Sequence, residues 1–121
     1  MSFSGSIRRE PVSSGRRFGR IGATDVLSTQ WSVTPRPNRS PAVRLICIPH
    51  AGGGVASFRG WAERLHAADV GIVQLPGRGS RLHEPLMTSI GDLMPPLRRA
   101  LPDLTDKPFV FFGHSMGAIV A

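Results

Sequence analysis

FVFFGHSMGAIVA, residues 109–121, joins an apolar run to a Gly-x-Ser-x-Gly pentad centred on Ser115. The run Phe109–Phe112 shows no alternation of polar and apolar residues, which is typical of a strand covered on both faces of a parallel sheet. The residues after Ser115 are compatible with a helix. A strand, a sharp turn and a helix in this order place a serine hydroxyl above the carboxyl end of the strand, so Ser115 is a candidate nucleophile.

The glycines of the pentad fit such a turn. We expect Gly113 and Gly117 to stand where the strained backbone leaves no space for a Cβ. Together with His114, they are the residues expected to support the turn that carries the nucleophile. A pattern this short arises by chance in roughly one composition-matched chain in six, so its weight comes from the flanking strand and helix. The alternative is a serine in an ordinary strand-to-helix turn.

Two further strands are predicted upstream, at Val43–Ile48 and Val70–Leu75. Between them, apolar residues at helical spacing predict a helix with one buried face, formed by Phe58, Trp61, Ala62 and Leu65. A second helical stripe begins after the candidate N-cap Ser89 and contains Ile90, Leu93, Met94, Leu97 and Leu101. Pro95 and Pro96 interrupt this stripe and predict a kink or a restart there. The alternation of strands and helices indicates the α/β class, with a mostly parallel sheet and flanking helices.

The loop His50-Ala51-Gly52-Gly53-Gly54 follows the first of these strands. A serine nucleophile needs hydrogen-bond donors for the oxyanion of its tetrahedral intermediate. The backbone N–H of Met116 is one candidate, and the glycine-rich loop, which lets backbone amides approach a carbonyl closely, supplies a second. The alternative is a merely flexible glycine loop.

Residues 1–40 differ from the rest of the chain. They carry a net charge of +5 of the total of +7, and Ser, Gly and Arg dominate them, so we expect a basic, disordered extension and a Pro-punctuated linker. For the segment from Met1 to about Gly22 there are two alternatives. It could be a transit peptide, or it could result from a start codon placed too far upstream. Gln30–Val33 could form a short edge strand. Residues 41–121 are expected to form the folded α/β unit.

Composition narrows the possible partners. The basic residues are not interleaved with aromatic ones as in nucleic-acid stacking platforms, so no nucleic-acid partner is expected. No stretch reaches the length of a membrane span, and no export signal is evident, so no membrane partner and a cytoplasmic location are expected. The single cysteine, Cys47, lies in an apolar stretch and is interpreted as a small buried hydrophobe. No metal site is predicted.

Four segments occur in order and together resemble the type II thioesterases of polyketide and nonribosomal peptide pathways: Pro49–Gly53, Trp61-Ala62, Gln74–Leu82 with Glu84-Pro85, and Gly113–Ala118. The resemblance covers residues 43–121. It implies an α/β-hydrolase fold and hydrolysis of acyl thioesters on carrier proteins, of the editing type. It also implies Ser115 as nucleophile and the amides of Ala51 and Met116 as the oxyanion hole. No cofactor is implied beyond the phosphopantetheine of an acyl or peptidyl carrier protein that presents the substrate.

The family places a catalytic Asp and His after the nucleophile, whereas Ser115 lies six residues before the end of this sequence. We therefore expect an N-terminal half of the domain, inactive by itself and prone to aggregation along the strand Phe109–Phe112. None of the four histidines, His50, His66, His83 and His114, is expected to act as the base. Arg78 and Arg81 are interpreted as solvated, with Glu84 pairing with one of them. The alternative is that the two arginines attract an anionic partner, such as a phosphopantetheine arm or an acidic carrier protein. A different esterase or acyltransferase, and an inactive binding module, are the alternatives.

Overall fold

A computed structural model describes residues 17–21 and 24–121 of the chain. Six strands form one sheet: β1 (Arg17–Ile21), β2 (Thr24–Ser28), β3 (Ser32–Thr34), β4 (Val43–Ile48), β5 (Ala68–Val73) and β6 (Phe109–Gly113). Three α-helices accompany them: α1 (Trp61–Arg64), α2 (Ile90–Leu104) and α3 (Met116–Val120). Two 3₁₀ helices occupy Val55–Phe58 and Gly79–Arg81.

The strand order in the sheet is β1-β2-β3-β5-β4-β6. Strand β4 lies between β5 and β6 and is parallel to both, with Leu45 opposite Val70 on one side and Val110 on the other. The first three strands are antiparallel to their neighbours. The predicted α/β class is confirmed, and the predicted strand at Phe109–Phe112 pairs with the one at Val43–Ile48.

The sheet is covered on both faces. Ile46 and Ile48 point to the face covered by α2, where they pack with Leu93 and Leu97. Cys47 points to the opposite face and packs with Phe58 and other residues of the α1 side. Cys47 is completely buried, and this burial raises the pKa of its thiol to about 12, as befits a small hydrophobe.

Strand β6 departs from the expectation of a strand covered on both faces. Phe109, Val110 and Phe112 remain 42%, 52% and 39% exposed. Strand β6 is the last strand of the described sheet and pairs with β4 alone among the described strands. Its apolar side chains are exposed because, among the described elements, β6 has a neighbouring strand on one side only.

Helix α2 begins as predicted and continues further than predicted. The Ser89 hydroxyl accepts a 3.1 Å hydrogen bond from the Asp92 amide, so Ser89 is the N-cap. The helix continues through Pro95 and Pro96, so the restart, one of the two predicted alternatives, is wrong, while the kink stays a prediction. Each proline removes one intrahelical donor, and burial of Leu93 and Leu97, at 4% and 3% exposure, offsets that loss.

The expectation of a disordered extension over residues 1–40 is wrong for residues 17–21 and 24–34, which contain β1, β2 and β3. The parts of that expectation that fall on residues 1–16 and 22–23 lie outside the described residues. The predicted edge strand at Gln30–Val33 is observed as β3, but it is an interior strand, between β2 and β5. Backbone pairing with a distant strand stabilises this segment, and composition does not reveal such pairing.

A buried ion pair fixes the end of the sheet opposite to the pentad. The Arg44 guanidinium donates to the Asp69 carboxylate at 2.9 Å and 3.1 Å, and both residues are at most 5% exposed. Arg44 also donates a 3.0 Å hydrogen bond to the carbonyl of Leu104, at the C-terminus of α2. The pair therefore joins β4, β5 and α2.

Candidate active site

Ser115 stands on a strained turn between β6 and α3. Its backbone has φ 56° and ψ −116°, and it is the one non-glycine residue with positive φ in the described chain. An L-residue adopts this conformation at a cost that persists only where the surroundings fix it. Two amides close the turn, because Gly117 N–H donates to the His114 carbonyl at 3.0 Å and Ala118 N–H donates to the Ser115 carbonyl at 2.9 Å. Ser115 itself is exposed.

The two pentad glycines allow this turn by their lack of a side chain. A Cβ on Gly113 would collide with the backbone of Gly117 and Ala118. A Cβ on Gly117 would collide with the carbonyl of Ile48 at the end of β4. The sequence interpretation of both glycines agrees with this geometry, because each stands where main chain meets main chain.

The loop after β4 is a tight turn. Gly53 N–H donates a 2.9 Å hydrogen bond to the His50 carbonyl, and Gly52 has φ +78° at the third position. A type II turn requires positive φ at that position, which explains a glycine there. Ala51 occupies the second position and is exposed. Neither the Ala51 N–H nor the Met116 N–H donates a hydrogen bond to a described residue.

The histidines do not provide a base for Ser115 within the described part of the chain. No hydrogen bond joins the Ser115 hydroxyl to a described residue. His50 and His114 contact each other edge to face with ring centroids 5.1 Å apart, and Nδ1 of His50 is buried without a described partner. His66 and His83 are exposed in turns. The described residues also contain no group of His, Cys, Asp and Glu that could hold a metal ion.

Two cavities open beside the loops at the carboxyl ends of the strands. One, of about 80 Å³, lies between Leu75, Leu93 and Met116. The other, of about 420 Å³, is bordered by the glycines of residues 52–54 and by Gln74. Arg78 and Leu75 line both cavities. The larger cavity lies between the glycine-rich loop and the turn after β5, and Ser115 lines neither cavity.

The interpretation of Arg81 as a solvated side chain is wrong. Arg81 is 6% exposed, its guanidinium lies 4.1 Å from the centre of the Trp31 ring, and it donates a 2.9 Å hydrogen bond to the Gln74 carbonyl. Glu84 pairs with Arg81, as one of the two predicted options. The hydrogen bond from Arg81 lowers the pKa of the Glu84 carboxyl below its ordinary value of 4.5. Trp31 lies 50 residues before Arg81, so no local pattern predicts this contact.

Arg78 also differs from the solvated side chain expected of it. It is half-buried, and its guanidinium donates a 3.2 Å hydrogen bond to the carbonyl of Gly53. Sequence reasoning missed this contact, because it joins two loops that follow different strands. The available signal was that β4 and β5 are parallel neighbours, which brings their following loops to the same edge.

A family model described as "Thioesterase domain" matches residues 43–121. The chain belongs to the thioesterase domain family. The match contains all three parallel strands, the glycine-rich turn and the strained turn at Ser115. No described helix of this thioesterase-family chain is long and apolar enough to cross a membrane.

Relatives and solved structures agree with this assignment. The chain is 44% identical over 86 residues to the human medium-chain S-acyl fatty acid synthase thioesterase. This match covers 69% of this chain and 32% of the human protein. It is 43% identical over 99 residues to the thioesterase PikA5 of Streptomyces venezuelae, covering 80% of this chain and 35% of that one. It resembles the structure of BorB, a type II thioesterase from the borrelidin biosynthetic cluster, with a TM-score of 0.70 and 38% identity.

That structural match covers 74% of this chain and 37% of BorB. Residues 43–121 therefore have part of the α/β-hydrolase fold that BorB and the other thioesterases of this family share. The chain spans about a third of the length of the curated relatives that it matches.

Proposed function

We propose that the protein containing this chain hydrolyses acyl thioesters that carrier proteins of polyketide or nonribosomal peptide synthesis present on phosphopantetheine. It acts in the cytoplasm and removes acyl groups that block the assembly line. The single observation that carries the proposal is the positive φ of Ser115 on a turn that two glycines make sterically possible. Such strain at an exposed serine is typical of a nucleophile elbow.

In the proposed mechanism the Ser115 hydroxyl oxygen attacks the thioester carbonyl carbon and loses its proton to a general base. A C–O bond forms, and the carbonyl oxygen carries the negative charge. The electron pair of the oxyanion then re-forms the C=O bond and the C–S bond breaks. The thiol leaves with the proton that the base has held. Water then attacks the acyl-serine in the same way and releases the carboxylic acid and the free hydroxyl.

The amides of Ala51 and Met116 are the proposed oxyanion hole. Neither has a described acceptor, and they follow the adjacent parallel strands β4 and β6, Ala51 in the glycine-rich turn and Met116 at the start of α3. The hydrogen bond from His114 N–H to the Ile48 carbonyl ties these loops together at 3.1 Å. Amides that are already oriented stabilise the developing charge without reorganisation, and one such donor contributes about 10²–10³ in rate.

The general base is proposed to be a histidine outside the 121 residues, oriented by an acidic residue. Two observations support this. The Ser115 hydroxyl makes no hydrogen bond within the described part of the chain, and the chain spans about a third of its curated relatives. The 121-residue chain alone is therefore proposed to contain the nucleophile Ser115 and the oxyanion donors of Ala51 and Met116. It lacks the general base that accepts the serine proton.

The proposal is tested with the gene product that contains this sequence. An acyl carrier protein loaded with an acyl-phosphopantetheine thioester is compared with an oxygen ester of the same acyl chain. We expect faster hydrolysis of the thioester, abolished in Ser115→Ala and unchanged in Ser57→Ala, an exposed serine of the 3₁₀ helix. Preference for the oxygen ester would favour a general esterase, and transfer of the acyl group to an added alcohol or amine would favour an acyltransferase.

An inactive binding module is the second candidate, favoured by the absence of a described partner for the Ser115 hydroxyl. It predicts that the gene product binds the acylated carrier protein without turnover, and that Ser115→Ala binds as tightly as the unmodified protein. Turnover that depends on Ser115 would exclude it.

A further inference from the structure

Arg78 occupies a position between the two loops of the candidate site. Its guanidinium donates to the Gly53 carbonyl at 3.2 Å. Gly53 is the residue that closes the turn containing Ala51, through its own amide and the His50 carbonyl. The side chain of Arg78 therefore fixes Gly53, at one end of the turn. The same turn contains the amide of Ala51, the candidate oxyanion donor.

The turn is also restricted on its other side. Gly53 lies so close to the His50 ring that an added Cβ would approach its Cε1 at 2.7 Å. The His50 ring packs on Gly53 from one side, and Arg78 binds its carbonyl. The direction of the Ala51 N–H follows from this, because Ala51 and Gly52 are the two central residues of a turn with both ends held.

Arg78 can serve this purpose because its own backbone is anchored. Gly77 N–H donates to the Arg81 carbonyl at 2.9 Å, and Arg81 N–H donates to the Arg78 carbonyl at 2.8 Å. Gly77 and Gly79, with φ +83° and +52°, make the bends on either side of Arg78. The buried Arg81, paired with Glu84, holds this segment against the sheet.

We propose that Arg78 is a positioning residue of the thioesterase reaction, which orients the Ala51 amide toward the oxyanion through the Gly53 carbonyl. This inference rests on the proposed function. It assigns to Arg78 a role in the transition state and no contact with the substrate in the ground state. Loss of its hydrogen bond therefore lowers kcat, since a misdirected donor loses part of its contribution.

The kinetic test compares Arg78→Met, Arg78→Lys and the control Arg98→Met, which changes an exposed arginine of α2. In the gene product that contains this sequence, Arg78→Met is expected to lower kcat about tenfold with KM unchanged. Arg78→Lys, which keeps a donor, restores part of kcat, and Arg98→Met has no effect. A raised KM with kcat unchanged would show that Arg78 binds an anionic substrate group instead, and would overturn the proposal.

A second readout does not depend on catalysis. Amide hydrogen exchange and chemical shift are measured by NMR at Gly53 and Ala51 in the gene product that contains this sequence, with Ile72 in the sheet as an internal reference. The proposal predicts that Arg78→Met changes exchange and chemical shift at Ala51 and Gly53 and leaves Ile72 unchanged. Identical signals at Ala51 and Gly53 would refute the positioning role. Failure of the thioesterase assay with the exchange effect intact would refute the proposed function alone.

Discussion

The amide of His114 donates a 3.1 Å hydrogen bond to the carbonyl of Ile48, so the turn that carries Ser115 is attached to the end of the interior strand β4. The same carbonyl lies against Gly117, where it leaves no space for a Cβ. The strained conformation of Ser115 is therefore fixed by main-chain contacts with a strand that is buried on both faces.

Gly117→Ala tests this relationship. The added methyl group meets the Ile48 and Pro49 carbonyls, which are backbone atoms and cannot rotate away. We expect the free energy of unfolding to fall by about 3 kcal/mol or more, measured by urea denaturation.

The matched control is Gly91→Ala, in the first turn of α2. A Cβ at Gly91 would lie 3.8 Å from the Ser89 hydroxyl oxygen, in ordinary contact. The substitution is expected to stabilise the chain by about 0.5–1 kcal/mol, because alanine loses less backbone entropy in a helix. Equal effects of the two substitutions would contradict the close packing of the elbow on β4.

Arg44→Met tests the ion pair at the other end of the sheet. It leaves the Asp69 carboxylate, which is 2% exposed, without its guanidinium partner, and Lys107 at 3.8 Å is a poor substitute. We expect a loss of about 3 kcal/mol in the free energy of unfolding, measured by thermal or denaturant melting.

The double variant Arg44→Met with Asp69→Leu is the control for this prediction. It removes both charges and is expected to be more stable than Arg44→Met alone, because no buried charge remains unpaired. A double variant less stable than the single one would show that the packing of the arginine, and not its charge, stabilises this region.

The pair of Arg81 and Glu84 predicts a dependence of stability on pH. The pKa of Glu84 is lowered in the folded state, first by the hydrogen bond from Arg81, so its contribution is present above about pH 4.5 and is lost as the pH falls through the folded pKa. We expect Glu84→Gln to reduce the loss of stability between pH 5 and pH 3 (roughly the range of carboxyl titration). Thermal melts at several pH values measure this.

Glu63→Gln is the matched control, because Glu63 is exposed on α1 and forms no ion pair within the described residues. Its pH profile is expected to follow that of the unmodified chain. A Glu84→Gln profile that also follows the unmodified chain would contradict the prediction.

The exposed strand β6 predicts self-association of the 121-residue chain. Val110 is 52% exposed on the last strand of the described sheet, and apolar strand edges pair with other chains. Val110→Lys is expected to raise the monomer fraction in size-exclusion chromatography with light scattering, and Leu82→Lys, in an exposed turn, is not. A monodisperse monomer with a cooperative melt for the unmodified chain would refute this.

The sequence predicted the elements whose determinants are local. The apolar runs at Val43–Ile48 and Phe109–Phe112 predicted two strands, and Ser89 predicted the start of α2. The glycines of the pentad predicted a close approach of main chain to main chain, because no other residue permits it.

The elements that the sequence did not predict depend on distant partners. Strand β3 forms because Ser32 and Val33 pair with Val73 and Ile72, about 40 residues later. The burial of Arg81 requires Trp31, and the contact of Arg78 requires Gly53. In each case the stabilising group lies on another strand or loop, so a local pattern contains no trace of it.

The most direct test of the central claim is the identification of the acylated residue. The gene product that contains this sequence is incubated with a fluorophosphonate probe, and separately with an acyl-phosphopantetheine thioester, and the modified peptide is identified by mass spectrometry. The account predicts an adduct on Ser115 with both reagents and none in Ser115→Ala. An adduct on another residue, or undiminished labelling of Ser115→Ala, would contradict it.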